Sequence, residues 1–162
     1  MQNSVVVVVV ALVLLTGCAG AQPEPAATPA PPTTAIATTP PPPPPLFERL
    51  GGKAALEAVV DQFLANVAAD DRVNYRFAFS DLGRLRGHLV DQLCAATGGP
   101  CTYTGRNMKD THRGQRIDEA GWVAVVDDLV AALDHFHVPA AEKGELMAAL
   151  APMHDDIVEV AP

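Results

Sequence analysis

Basic residues are scarce in this chain. Eleven lysines and arginines face 19 acidic residues, for a net charge of -8, and none of the basic residues lies in the first 45 positions. Nucleic acid needs a basic footprint, so it is excluded as a partner. No basic cluster is present to hold a folded domain on anionic lipid. Period-two runs of the kind that build strands are missing from residue 46 onward. Neither a nucleophile–base arrangement nor a phosphate-binding loop is visible, and the acidic pairs Asp127-Asp128 and Asp155-Asp156 read as solvated helix faces. The longest apolar run is too short to span a bilayer as a mature helix.

What is present divides the 162 residues into an address, a tether and one domain. Residues 5–15 form an unbroken apolar run of signal-peptide length, ending in Leu15-Thr16-Gly17-Cys18, which resembles a bacterial lipobox. That resemblance implies a signal peptide over residues 1–17, cleavage before Cys18 and acylation of Cys18. Several acyl chains, each gaining ~0.8 kcal/mol per buried methylene, make a durable anchor. No Lys or Arg precedes the run, unlike most signal peptides, and a start codon further upstream would supply one. Residues 18–45 are rich in Pro, Ala and Thr, with Pro40 to Pro45 consecutive, a composition that cannot bury a core. At ~3.1 Å per residue this tether reaches roughly 80 Å when fully extended. The expectation is a membrane-anchored lipoprotein, periplasmic or extracytoplasmic, and Ala19 lacks the aspartate associated with inner-membrane retention. With Cys18 assigned to lipid, Cys94 and Cys101 remain, either as a disulfide contributing roughly 2.5 kcal/mol or as two free thiols.

Residues 46–162 carry the folded domain. Residues 46–50 read as a short helical turn stopped by Gly51-Gly52. Residues 53–70 place Leu56, Val59, Val60, Phe63, Leu64 and Val67 at the spacing of one buried helical stripe. A connector bearing Tyr75, Phe77 and Phe79 leads to a helix over 81–96, with Leu82, Leu85, Leu89 and Leu93 on one face and Ser80 or Asp81 as its cap. Gly98-Gly99-Pro100 breaks that helix. Residues 118–135 form another, with Trp122, Val125, Val126, Leu129, Val130 and Leu133 inward. A last helix starts at Pro139 and buries Leu146, Leu150, Met153 and Ile157. The domain is all-α. His135 and His137 flank Phe136 at a helix end, where an imidazolium interacts favourably with the helix dipole. Between Gly98 and Asp118 lie about 20 residues with only a weak apolar pattern, and a connection that long inside a compact domain is usually functional. His112 sits in it, and neutral imidazole is a good iron ligand.

The chain resembles a group I truncated haemoglobin. The resemblance is carried by Leu46-Phe47-Glu48-Arg49-Leu50-Gly51-Gly52, by Val67-Ala68-Ala69-Asp70-Asp71, by Gly98-Gly99-Pro100, and by Tyr103-Thr104-Gly105 leading through Met108-Lys109 to His112-Arg113-Gly114. It covers residues 46–158. It implies a truncated globin fold, a two-over-two helical sandwich around non-covalently held haem b (iron protoporphyrin IX), with His112 as proximal iron ligand. No Cys-x-x-Cys-His is present for covalent c-type attachment. By the same resemblance Phe77 packs on the porphyrin face, Phe63 and Met108 line the pocket, and Tyr103 and Lys109 lie near the haem edge or propionates.

The distal side departs from the family. Leu64 stands where many members have a tyrosine that donates to bound oxygen, and Leu85 and Leu89 occupy positions that often carry glutamine or another polar group. His88 matches the position from which some cyanobacterial members supply a second, distal iron ligand; the other reading of His88 is an edge histidine bonded to a propionate or water. The leading expectation is a membrane-tethered haem protein that binds diatomic gas ligands, oxygen or nitric oxide, with nitric-oxide dioxygenase-like activity as an accompanying chemistry. A second is a redox or sensor module that works with a membrane partner, a reductase or electron donor. A third is a haem-less structural lipoprotein.

Overall fold

The computed structural model describes residues 41–160. The expected signal segment, the expected acylation of Cys18 and the expected tether up to residue 40 lie outside the described residues. Residues 41–45 are exposed and without regular structure. No helix among the described residues is long and apolar enough to cross a membrane.

Seven α-helices are described: α1 (Leu46–Arg49), α2 (Gly52–Ala69), α3 (Leu82–Ala96), α4 (Met108–His112), α5 (Glu119–His135), α6 (Ala140–Leu150) and α7 (His154–Ile157), with 3-10 turns at Asn74–Arg76 and Ala151–Met153. Among the described residues there is no strand, only one isolated parallel bridge between Asp118 and Val160. The long helix α2 lies between α3 and α5, and α6 packs against α1 and α3. The apolar stripe read from the sequence is the reason. Leu56, Val59, Val60, Phe63 and Val67 of α2 are all buried, as are Leu129 and Leu133 of α5 and Leu146 of α6. Each such side chain contributes roughly 1.5–3 kcal/mol by leaving water.

The caps follow the expected chemistry. The Asp81 carboxylate accepts from the Arg84 backbone N–H at 3.0 Å, and that of Asp118 accepts from the Gly121 N–H at 2.9 Å. Each satisfies an amide that the first helical turn leaves without a partner. Helix boundaries agree with the sequence reading to within one residue at α2, α3 and α5. Cys94 and Cys101 form a disulfide, with Cα atoms 5.7 Å apart, closing the turn after α3.

Three expectations are corrected. The last helix is not continuous: α6 stops at Leu150, a 3-10 turn spans Ala151–Met153, and α7 begins at His154. Pro152 causes the break, because it lacks an N–H and its ring clashes with the carbonyl four residues back. Consequently only Leu146 of the four expected residues is buried, while Leu150, Met153 and Ile157 are half-buried. Leu82, expected on the inner face of α3, is 51% exposed and lies on the rim of a smaller cavity beside Leu64 and Phe77. The weakly patterned segment before Asp118 contains a helix, α4, capped by the Asn107 side chain, which accepts from the Asp110 N–H at 2.7 Å.

One buried charge also corrects the reading of Asp127-Asp128 as a solvated face. Asp128 of α5 is 8% exposed, and its Oδ2 has no hydrogen-bond partner among the described residues. Burial, reinforced by the nearby Asp70 carboxylate, raises its pKa. The folded chain therefore holds this proton to a higher pH than the unfolded chain does, and stability falls as pH rises through that window. Asp128→Asn is expected to raise the thermal midpoint at pH 7, by an amount worth about 1–3 kcal/mol for an unsatisfied buried group. The gain should shrink towards pH 4, as measured by melting across that range.

Candidate functional site: an apolar cavity between the helices

The helices do not close on one another completely. They leave a cavity of about 1020 Å³, at the upper end of ligand pockets, which run ~300–1,000 Å³. Its walls come from nearly every element. Helix α2 contributes Val60 and Phe63; α3 contributes Leu85, His88, Leu89 and Gln92; the connector contributes Phe77; and α5 contributes Trp122, Val125 and Val126. Met147 and Leu150 of α6, with Met153 and Ile157 beyond it, close the far side. Met108, Thr111 and His112 enter from α4.

His112 is the last residue of α4 and is half-buried. Its Nδ1 lies 2.9 Å from the carbonyl oxygen of Met108, one turn earlier. A carbonyl only accepts, so Nδ1 carries the hydrogen and donates, and in the neutral ring Nε2 then offers a lone pair. Among the described residues no protein group hydrogen-bonds Nε2. An imidazole whose tautomer is fixed by a backbone carbonyl, on the wall of an apolar cavity, is arranged as a metal ligand.

His88 lines the same cavity from α3. Its ring meets that of Tyr103 edge-on, with centroids 6.0 Å apart and planes at 71°. Tyr103 donates its hydroxyl to the Arg106 carbonyl at 2.9 Å, and burial raises its pKa. The ring lies so close to Gly105 that a Cβ there would sit 2.7 Å from Tyr103 Cε2. Only glycine fits beneath Tyr103.

Phe63, Phe77, Leu85, His88, Leu89, Tyr103, Met108 and His112 thus meet on one cavity wall system. Two of the residues singled out from the sequence do not reach it. Leu64 lines a smaller neighbouring cavity of about 350 Å³, which shares Phe77 and Ser80 with the larger one. Lys109 is exposed on the outer side of α4. The sequence reading missed Arg84, Gln92 and Arg106, all of which line the cavity. Among the described residues, neither Arg84 nor Arg106 pairs with a carboxylate. Gln92 Nε2 lies 3.4 Å from Met108 Sδ and 3.1 Å from Met153 Sδ, so its amide is spent on weak sulfur acceptors. A signal was available: Arg84, His88 and Gln92 repeat every four residues and share a helical face.

An all-helical chain around an apolar cavity, with an imidazole fixed on its wall, has the form of a haem-binding globin. The bacterial-like globin profile matches residues 45–159. The group 1 truncated hemoglobin GlbN of Mycolicibacterium paratuberculosis is 37% identical over 112 residues, 69% of this chain and 82% of that protein. GlbN of a Synechocystis species is 36% identical over 115 residues, 67% of this chain and 92% of that protein. Among solved structures, the truncated hemoglobin of Tetrahymena pyriformis in its Fe(III) form superimposes with a TM-score of 0.70 at 29% identity, covering 72% of this chain and all of that one. A 2/2 hemoglobin of a Synechococcus species gives 0.68 at 27% identity, covering 71% of this chain and 98% of that one. The chain belongs to the bacterial-like globin family, and its fold is that of the truncated, two-over-two haemoglobins. Haem b is the cofactor of this family. The residues present fit it: an unpartnered imidazole nitrogen for iron, apolar walls for the ring, and two unpaired guanidiniums for carboxylates.

Gly105→Ala is expected to push the Tyr103 ring off His88, since the added methyl overlaps it. Near-ultraviolet circular dichroism of the haem-free chain should lose tyrosine intensity while helix content at 222 nm stays within about a tenth of the parent, as expected of a substitution confined to a loop.

Proposed function

We propose that this protein is a haem-binding globin that takes up diatomic ligands, with His112 as the proximal iron ligand. The observation that carries this reading is the His112 imidazole, whose Nδ1 is bound to the Met108 carbonyl and whose Nε2 is left without a protein partner on the cavity wall. Bound there, haem b supplies a ferrous iron that takes up oxygen or nitric oxide. The Met108 carbonyl keeps the ring in the tautomer that offers a lone pair and makes it more basic. Phe63, Phe77 and Met108 exclude water from the ring faces. Arg84 and Arg106 serve the propionates better than Lys109 does, because they line the cavity and Lys109 does not.

His88 would supply a second iron ligand when no external one is present. It lines the cavity, has no hydrogen bond to protein among the described residues, and is held only by the edge of Tyr103. An imidazole without a fixed partner can turn at little cost. Leu85 and Leu89 offer no donor to a bound diatomic ligand, and one charge-assisted bond is worth ~1.5–3 kcal/mol. Oxygen is therefore held weakly and the ferrous protein oxidises readily. That balance favours a redox or sensing role with an electron donor over oxygen storage. The resemblance of Leu15-Thr16-Gly17-Cys18 to a lipobox supports a setting at a membrane surface.

The absorption spectrum tests these readings together. A Soret band should form on haem addition and be lost in His112→Ala; its persistence there would overturn the assignment. The ferric parent should be low-spin, and His88→Ala should convert it to high-spin. An unchanged spectrum would leave His88 as an edge residue. Stopped-flow oxygen release from the ferrous parent should be faster by about tenfold or more than from a variant carrying Leu85→Gln, which puts an amide donor on the cavity wall, as the gain of one charge-assisted hydrogen bond requires. Nitrate formation from nitric oxide by the oxygenated protein distinguishes dioxygenase-like chemistry from sensing.

A further inference from the structure

The segment that follows His112 is held by the far end of the chain. Helix α4 ends at His112, and Arg113 leaves it at once with φ -52° and ψ 125°. Gly114 and Arg116 both adopt left-handed backbone, with φ of 81° and 53°. For arginine this conformation is disfavoured, so something outside the segment must impose it. The carboxylate of Glu159 does so. One of its oxygens accepts from the Gly114 N–H at 2.6 Å, and the other accepts from the Arg116 N–H at 2.7 Å. The backbone reinforces the clasp, because the Glu159 and Val160 N–H groups donate to the Ile117 carbonyl at 2.8 and 3.1 Å. Gln115, between the two clasped residues, donates its N–H to the His112 carbonyl at 3.0 Å.

We infer that Glu159 is a positioning residue for the iron ligand, fixing the His112 ring through the two amides that it binds in the segment immediately after it. This rests on His112 being the ligand. A five-residue helix cannot fix its own last residue, since isolated helices shorter than ~12–15 residues are marginal. The Asn107 cap and the Met108 carbonyl govern the near side of His112. On the far side the backbone is set from 43 and 45 residues away, by one carboxylate. Removing it lets Arg116 relax from its left-handed conformation, and the relaxation reaches His112 through the Gln115 N–H.

The test uses the full chain loaded with haem. In the ferric cyanide form the added ligand takes the sixth position, and the hyperfine-shifted ring protons of His112 report the orientation of its plane. Glu159→Ala is expected to displace those resonances. It should also speed haem transfer to an excess of an acceptor apoglobin by about tenfold, the scale of one or two charge-assisted hydrogen bonds. Glu159→Gln, which keeps one accepting oxygen, should fall between parent and Glu159→Ala. Melting of the haem-free variants measures any general loss of stability. Resonances that stay in place in both variants overturn the inference, whatever the melting shows. In His112→Ala made together with His88→Ala, so that His88 cannot stand in, the shifted imidazole signals should vanish. If they survive there, the ligand reading itself fails; if they vanish there and stay unmoved in Glu159→Ala, only the role of Glu159 fails.

Discussion

The hydrogen bond from His112 Nδ1 to the Met108 carbonyl closes one turn of a helix that has little more than one turn. It gives the ring its tautomer, and through the tautomer its capacity to bind a metal. Yet α4 has none of the usual means of standing alone. It buries no residue fully and is too short for its own hydrogen bonds to offset nucleation. Its geometry is therefore borrowed. Asn107 caps its start, α7 packs beside it, and the strap containing Glu159 binds the residues that follow. The fold surrounds a short weak helix with strong long ones, and the proposed iron ligand sits on the weak one.

That arrangement accounts for the broken C-terminal helix. A straight continuation of α6 through residue 157 would carry the chain onward in the direction of α6. Pro152 interrupts it, the 3-10 turn redirects it, and α7 then lies against α4. His154, at the start of α7, has Nε2 2.9 Å from a Glu119 carboxylate oxygen and Nδ1 2.8 Å from one of Asp155, with its ring edge-on to Trp122. These carboxylates raise its pKa, so the charged form ties α7 to the start of α5 more firmly at low pH than at high. Trp122 in turn lines the cavity. The C-terminal turn thus supports the pocket from behind while its final residues clasp the segment after His112.

The long helices were legible because each has a partner on a defined side. Leu56, Val59, Val60, Phe63 and Val67 repeat with the helical period, and burial follows the repeat. The same rule misled at two points. The spacing of Leu146, Leu150, Met153 and Ile157 continues across Pro152 as if the helix did, because periodicity records which side is apolar and not whether the backbone can continue. Leu82 keeps the phase of Leu85 and Leu89, but it borders an open cavity instead of a packed neighbour and stays half-exposed. His112 drew attention through its place in a long connection, but its proposed role as iron ligand was legible only through family resemblance. Nothing local in a segment of weak apolar pattern singles it out. The Glu159 clasp was not legible at all, since its partners are backbone amides more than 40 residues away, which no residue pattern announces.

The two rows that α3 turns to the cavity explain why the leucines drew attention first. Leu85, Leu89 and Leu93 satisfy the amphipathic pattern completely, so the row beside them, Arg84, His88 and Gln92, reads as the polar flank of an ordinary surface helix. Both rows line the cavity. Over about 12 Å of helix, at 1.5 Å per residue, the polar row passes from a guanidinium to an imidazole to an amide that bonds only thioethers. Charge is kept to one end and neutral groups lie further in, the order expected of a pocket that takes a molecule with carboxylates on one edge and an apolar body. The imidazole stands between these extremes, beside leucines that cannot compete with it for a ligand. Leucine at 85 and 89 therefore does more than remove a donor, because it leaves Arg84, His88 and Gln92 as the polar side chains that α3 itself offers the cavity.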